Sequence, residues 1–204
     1  MTYNECLDRL QNGTYKINDG GLTIRMKPIP ETDEPGAIDE RALAWEQNGK
    51  PFPQPAVSSA PTLEEIKAIR GWMGCENQDL SNGISTRREV IETKYGIVPV
   101  SIYSPSKEKT EAIVVYIHGG GFYGGNTAVV ENCCKLIADR GNAAVISVDY
   151  GLAPEYKFPQ GLNQCYEVVK WAYNNGHTLN GNQNKLVVMG DSAGGNLATG
   201  CCLL

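Results

Sequence analysis

Positive charge and long hydrophobic runs are both scarce in this sequence. The 204 residues include 18 Lys and Arg against 23 Asp and Glu, which gives a formal net charge of -5. Proteins that bind nucleic acid or an anionic membrane surface carry clustered positive charge, so both roles are disfavoured. The longest uninterrupted apolar stretch, Ala112–Ile117, is far shorter than the roughly 20 residues that cross a bilayer. The sequence therefore predicts neither a nucleic-acid partner nor a membrane span.

Signals for metal binding, disulfide formation and secretion are missing as well. The only histidines are His118 and His177, and neither has a second candidate ligand at a usual spacing, so no metal site is predicted. The seven cysteines are an odd number without C-x-x-C spacing, and we expect them to be reduced and mostly buried. The N-terminus has no basic region followed by an apolar core, which favours a cytoplasmic protein.

The N-terminal third of the chain differs in composition from the remainder. Prolines interrupt residues 28–36 and 51–61, which excludes helix interior there. Between these stretches, Ile38–Asn48 has the composition of a helix. A second helix is predicted to begin at Thr62, because Thr62 and Glu65 have the spacing of a capping box. This third is therefore predicted to consist of two short helices on proline-rich connectors.

From about residue 87 the pattern is typical of a doubly wound α/β domain. Alternating residues within 88–103 predict two strands that are antiparallel neighbours. Three short β-branched runs without polar alternation follow, as in parallel strands covered on both faces. Amphipathic helices are predicted from about Asn126 to Gly141 and from about Leu162 to Gly176, so strands and helices alternate. The three buried runs are Ala112–Ile117, Ala143–Val148 and Leu186–Met189.

The segment Gly190–Gly194 has the form G-x-S-x-G and lies where the last predicted strand gives way to a helix-compatible stretch. A sharp strand-to-helix turn strains the serine backbone and exposes its hydroxyl, and flanking glycines let neighbouring backbone approach closely. The N–H groups at the helix start face any anion that forms there. The pattern favours Ser192 as a nucleophile, and the alternative is a closely packed or phosphate-binding turn.

A second glycine motif, His118–Phe122, follows a predicted strand directly. Three consecutive glycines are costly in backbone entropy, and they are useful where N–H donors must surround the developing oxyanion of an acyl transfer. A flexible hairpin or a phosphate loop is the alternative, although no Walker pattern occurs. We expect His118 to brace this loop rather than to act as the base. We expect His177 at the surface, at the sheet end opposite the strand C-termini.

With both motifs present, the sequence resembles the hormone-sensitive-lipase-like carboxylesterases of the α/β-hydrolase fold. The resemblance implies that Ser192 is the catalytic nucleophile and that the N–H groups of Gly120, Gly121 and Ala193 form the oxyanion hole. It also implies a small ester substrate, neither metal nor organic cofactor, and N-terminal helices that form a cap. The resemblance covers about residues 95–204 and rests on Gly96–Val100, His118–Phe122, Ser147–Tyr150, Leu152–Glu155, Phe158-Pro159 and Gly190–Gly195.

Two departures from the family pattern qualify the resemblance. Family members usually carry arginine where this chain has Gly151, so a hydrogen-bonding cluster there is expected to be weakened. The family also places the triad acid and histidine well downstream of the serine, whereas Leu204 is only 12 residues after Ser192. We therefore expect an α/β-hydrolase fold that is incomplete at the C-terminus, with residues 1–75 as cap helices and linkers and residues 76–204 as the N-terminal part of the core.

The expected function is that of a carboxylic ester hydrolase whose triad Asp and His lie outside these residues, so that the chain alone is essentially inactive. The alternative is an inactive relative that binds a small hydrophobic ligand, because such a receptor would keep the oxyanion glycines. A third interpretation is a truncated piece without an independent function. In a truncated sheet the strand at Leu186–Met189 becomes an edge, and self-association is then expected.

Overall fold

The computed structural model describes residues 2–27, 38, 42–44, 47, 61–71, 73–74, 78–106 and 109–204. The chain divides into two compact units, Met1–Pro53 and Gln54–Leu204. The predicted helix at Ile38–Asn48 falls mostly outside the described residues. Within that range residues 38, 42–44 and 47 are described, and residues 42–44 and 47 are helical. The assignment of residues 1–75 to a cap and 76–204 to the core stays a prediction.

The first unit contains three elements that the sequence analysis did not predict. Helix α1 (Tyr3–Asn12) begins with a capping box, in which Thr2 and Glu5 each accept a hydrogen bond from the other's backbone N–H. A hairpin of β1 (Tyr15–Asp19) and β2 (Leu22–Met26) follows, and both glycines of its tight turn have positive φ. Nearly all hairpin residues are exposed, although apolar and polar residues alternate on both sides of Gly20 and Gly21, a pattern that predicts a hairpin.

The second unit is a five-stranded mixed sheet with helices on both faces. The strand order is β3-β4-β6-β5-β7, with β3 and β4 antiparallel and with β5, β6 and β7 parallel. The predicted antiparallel pair and the three parallel strands are thus confirmed, but only β5 and β6 are buried as predicted, since β7 is partly exposed. The strands are β3 (Ile84–Thr93), β4 (Gly96–Pro105), β5 (Ala112–Ile117), β6 (Ala143–Val148) and β7 (Leu186–Gly190), and the helices are α2 (Leu63–Arg70), α3 (Glu131–Gly141), α4 (Gln160–Asn175) and α5 (Ala193–Leu203).

Two apolar cores cover the two faces of this sheet. Cys134 and Ala138 of α3 pack against Tyr103 and Val145 on one face. Helices α4 and α5 cover the other face, where Val168 is among the buried residues. Because β5 and β6 are apolar on both sides, they require such double coverage. The doubly wound arrangement predicted from their sequences is confirmed.

The predicted helix boundaries hold for two of the three helices. Helix α2 begins after Thr62, whose side chain accepts from the backbone N–H of Glu65 as the capping box requires. Helix α4 spans the predicted region, but α3 begins at Glu131 rather than near Asn126. The Asn126 side chain instead accepts hydrogen bonds from the N–H groups of the second and third residues after it, and this turn delays the helix.

Strand β7 is an edge strand, as the sequence analysis expected. It pairs with β5 on one side, and within the described residues it has no neighbour on the other. Val187 and Met189 are 44% and 38% exposed, whereas β5 and β6 are almost completely buried. None of the helices in the described ranges is long and apolar enough to cross a membrane.

Most of the described cysteines are buried, which confirms that part of the prediction. Cys75 falls outside the described residues. The buried thiols are Cys6, Cys134, Cys165 and Cys201, and the exposed ones are Cys133 and Cys202.

Candidate active site

Ser192 occupies a sharp turn between β7 and α5. Its backbone has φ 49° and ψ -120°, a region that residues with a side chain rarely adopt. The residue is exposed, and the turn closes through a 2.7 Å hydrogen bond from the N–H of Gly194 to the carbonyl of Asp191. The strand, strained serine and helix therefore have the arrangement that the G-x-S-x-G pattern predicts.

The glycines that flank Ser192 allow backbone to pack directly on backbone. A Cβ on Gly194 would collide with the carbonyl oxygen of Ile117 and lie 2.6 Å from that of His118. A Cβ on Gly190 would lie 2.5 Å from backbone atoms of Gly194 and Ile117. Carbon atoms do not approach so closely without displacement, so side chains at either glycine would separate the turn from the end of β5.

The glycine loop after β5 lies against this turn. The N–H of Gly119 donates to Oδ1 of Asp191 at 3.0 Å, and the Tyr116 hydroxyl donates to the same oxygen at 3.2 Å. Burial keeps the pKa of Tyr116 well above its usual value, so the hydroxyl stays protonated as a donor. The Asp191 carboxylate thus joins the residue before Ser192 to the first glycine of the loop.

The three proposed oxyanion donors are free to face a ligand. Among the described residues, the N–H groups of Gly120 and Gly121 donate to no protein acceptor. Ala193 opens α5, and the first N–H groups of a helix have no intrahelical acceptor. Gly120 and Gly121 have φ 122° and 62°, and these values are readily adopted only by glycine. Such geometry suits stabilisation of an oxyanion.

His118 is fixed beneath the loop. Its ring is fully buried, stacks on Tyr150 with centroids 4.5 Å apart, and has Nδ1 2.7 Å from the carbonyl oxygen of Gly119. The Tyr150 hydroxyl donates to the His118 carbonyl at 3.0 Å. Burial lowers the pKa of His118, so the imidazole is neutral near neutral pH. These contacts brace the loop, as the sequence analysis expected.

His177 lies far from the turn in the topology of the sheet. It is exposed, in the 3₁₀ turn Gly176–Leu179 that follows α4 and precedes β7. Ser192 follows the opposite end of β7. The surface position predicted for His177 is therefore confirmed.

An apolar cavity of about 330 Å³ lies beside the loop. It is bounded by Phe122 of the loop, by the first turns of α5 and by the segment between β6 and α4. This volume is at the lower end of the range for small-molecule pockets. The lining residues are Phe122, Tyr150, Gly151, Ala153, Tyr156, Phe158, Gly161, Leu162, Asn196, Leu197 and Gly200.

Comparison with known proteins agrees with this geometry. A family model described as the alpha/beta hydrolase fold matches residues 114–204, which contain both glycine motifs. The chain has the α/β-hydrolase fold. An arylesterase of Saccharolobus solfataricus is 37% identical to it over 107 residues, which are 52% of this chain and 35% of that protein. An acetyl esterase of Salmonella schwarzengrund is 31% identical over 156 residues, which are 74% and 48% of the two chains.

A solved structure leads to the same assignment. The crystal structure of esterase LipW from Mycobacterium marinum matches this chain with a TM-score of 0.59 at 37% identity, covering 68% of this chain and 46% of that one. With the esterase relatives, this match confirms the resemblance to hormone-sensitive-lipase-like carboxylesterases. The chain spans half the length or less of the curated relatives cited above.

Two residues of the α/β-hydrolase site were not singled out from the sequence. The position of Asp191 inside G-x-S-x-G was a signal, because a short polar side chain there can reach a neighbouring loop. Arg70 of α2 gave no such signal, although its guanidinium contacts Glu155, which is 85 residues away. At Gly151, where the family arginine was expected, a Cβ would lie 2.5 Å from the ring of Tyr156. The weakening expected there stays a prediction.

Proposed function

We propose that this chain provides the nucleophile and the oxyanion hole of a carboxylic ester hydrolase. The Ser192 hydroxyl would attack the acyl carbonyl carbon while a base takes its proton. The N–H groups of Gly120, Gly121 and Ala193 would hold the resulting oxyanion until the alcohol leaves, and water would then release the acid. The observation that carries this proposal is the Gly119–Asp191 hydrogen bond, which joins a strained, exposed serine to a loop with unpaired N–H groups.

We propose that the base and the acid of the triad lie outside these 204 residues. His118 is fully buried, its Nδ1 contacts the Gly119 carbonyl, and its Nε2 faces Asp149 at 3.9 Å. His177 lies at the other end of the sheet. Within the described residues no hydrogen bond joins Ser192 to either histidine. Without its base, such a serine loses roughly four to six orders of magnitude in rate.

The cavity beside the loop indicates a small or medium ester. Its walls are apolar, and about 330 Å³ suits a short acyl chain or an aryl group better than a long triglyceride chain. The names of the relatives, arylesterase and acetyl esterase, point to the same substrate class. The chemistry proposed for Ser192 requires neither metal nor organic cofactor, because backbone N–H groups would stabilise the charge.

The alternative function is binding of a small hydrophobic ligand without turnover. The same cavity supports it, and so does the lack of a histidine hydrogen-bonded to Ser192 within the described residues. A binder would use Phe122 and Tyr156 as apolar walls and would need no base.

Ester hydrolysis distinguishes these functions. The 204-residue chain and the longest reading frame that contains it are each assayed with p-nitrophenyl acetate. We expect turnover from the longer protein, loss of turnover in Ser192→Ala, and almost none from the chain alone. Ser85→Ala, an exposed serine on β3, is the matched control. Saturable binding of the ester without hydrolysis, unchanged by Ser192→Ala, would favour the binder. Fast turnover by the chain alone would show that His118 or another residue supplies the base.

A further inference from the structure

We propose that Arg70 is a positioning residue that clamps the glycine loop through its guanidinium group. Its effect on turnover rests on the ester hydrolase function proposed above, whereas the clamp itself does not. We call the backbone of residues 119–125 the oxyanion loop and the segment of residues 151–156 the Glu155 turn.

Arg70 uses donors on three nitrogen atoms to join these two segments. Nη1 and Nη2 donate to the two carboxylate oxygens of Glu155 at 2.8 and 2.7 Å. Nη2 also donates to the carbonyl of Ala153 at 2.8 Å, and Nε donates to the carbonyl of Tyr123 at 2.5 Å. One side chain at the end of α2 therefore binds both the oxyanion loop and the Glu155 turn.

The two clamped segments are also joined to each other. The N–H of Ala153 donates to the carbonyl of Phe122 at 2.9 Å. Phe122 has φ 67°, a value that is unfavourable for a bulky residue. Strained backbone persists only where its surroundings hold it in place. Ala153 and Arg70 together fix two successive carbonyls, those of Phe122 and Tyr123, directly after the proposed donors Gly120 and Gly121.

The contact is too specific to be an ordinary surface ion pair. The side chains of Arg70 and Glu155 are only 20% and 32% exposed. Met73, just beyond α2, covers the same loop, since a Cβ on Gly124 would collide with its sulfur. The planar guanidinium matches a carboxylate and two carbonyls at once, which the point charge of lysine does not. The hydrogen bonds from Arg70 hold the pKa of Glu155 at about 2, so the pair stays charged at neutral pH.

Hydrogen exchange of the 204-residue chain tests the clamp directly. In Arg70→Met we expect the hydrogen-bonded amides of the oxyanion loop, those of Gly119, Tyr123 and Gly124, to exchange about tenfold faster, because a charged hydrogen-bond network is lost. Amides of β5 and β6 should keep their rates. Arg140→Met is the matched control, because Arg140 is largely exposed and, among the described residues, forms an ion pair only with Asp139 at 3.7 Å. Arg70→Lys, which keeps the charge, should show most of the loop acceleration and serves if the methionine variant does not fold.

The outcome separates positioning from general stability. Faster exchange confined to the oxyanion loop and the Glu155 turn supports the clamp. Unchanged loop exchange, or equal acceleration throughout β5 and β6, overturns it.

A kinetic measurement connects the clamp to the proposed function. In the longest reading frame that contains this chain, Arg70→Met should lower kcat for p-nitrophenyl acetate about tenfold and leave KM within about twofold, since misplaced donors weaken transition-state binding. If the wild-type protein does not hydrolyse esters, the proposed function fails while the exchange result still decides the clamp. An active wild type with an unchanged kcat in the variant overturns the positioning role.

Discussion

Replacement of Ser192 by glycine is expected to stabilise the protein, although it removes the proposed nucleophile. Ser192 has φ 49° and ψ -120°, and a residue with a side chain held in such a region costs of order 1–3 kcal/mol. Glycine adopts positive φ without this penalty, but its greater freedom in the unfolded chain offsets about 0.4–1 kcal/mol. The net gain in free energy of unfolding is about 1 kcal/mol, which raises Tm by about 2–4 °C for a chain of this size.

Ser192→Ala is the matched control for this experiment. Alanine removes the hydroxyl but keeps Cβ, so the backbone strain stays. Urea denaturation of the 204-residue chain, followed by circular dichroism, compares wild type with both variants. We expect the glycine variant to have the highest midpoint and the alanine variant to lie near wild type. A glycine variant no more stable than the alanine variant would refute the inference that the turn stores strain.

Two further predictions concern the ion pair and the sheet edge. Arg70 lowers the pKa of Glu155 from 4.5 to about 2. The difference in stability between wild type and Glu155→Gln should therefore be constant above about pH 4.5 and shrink as the pH falls toward 2. Thermal unfolding at several pH values measures this difference, and a difference that grows on acidification would contradict the ion pair. The open edge of β7 should make the chain self-associate, as measured by sedimentation velocity. Val187→Lys should shift the chain toward monomer, whereas the control Ile97→Lys, on the inner strand β4, should not. Equal effects of the two variants would indicate association through general apolar exposure instead.

The parts of the fold that were predicted have strong local signals. Strands β5 and β6 are β-branched runs that no solvated element would contain, and the capping box at Thr62 marks the start of α2. Helix α1 carries the same signal at Thr2, so the sequence did contain a basis for predicting it. The β1–β2 hairpin also has a local signal that the sequence analysis missed, because apolar and polar residues alternate on both sides of Gly20 and Gly21.

The candidate site likewise has one part that could be predicted from the sequence and one part that could not. G-x-S-x-G and the glycine loop are contiguous motifs whose chemistry depends on neighbouring residues, so their local geometry could be predicted. The contact of Arg70 with Glu155 joins residues 85 positions apart, and only the tertiary fold brings them together. A single sequence carries no periodic or turn signal for such a pair.

The two anchors of the oxyanion loop have complementary roles. Glycines supply the positive φ values at Gly120 and Gly121, but they also give the loop more conformational freedom than any other residues would. Donors stabilise a developing oxyanion efficiently only when they are already in place before the reaction. Asp191 holds the loop at Gly119, and Arg70 holds it at Tyr123. Because neither anchor belongs to the loop, the donors between them can be fixed without a side chain occupying the space that the substrate carbonyl requires.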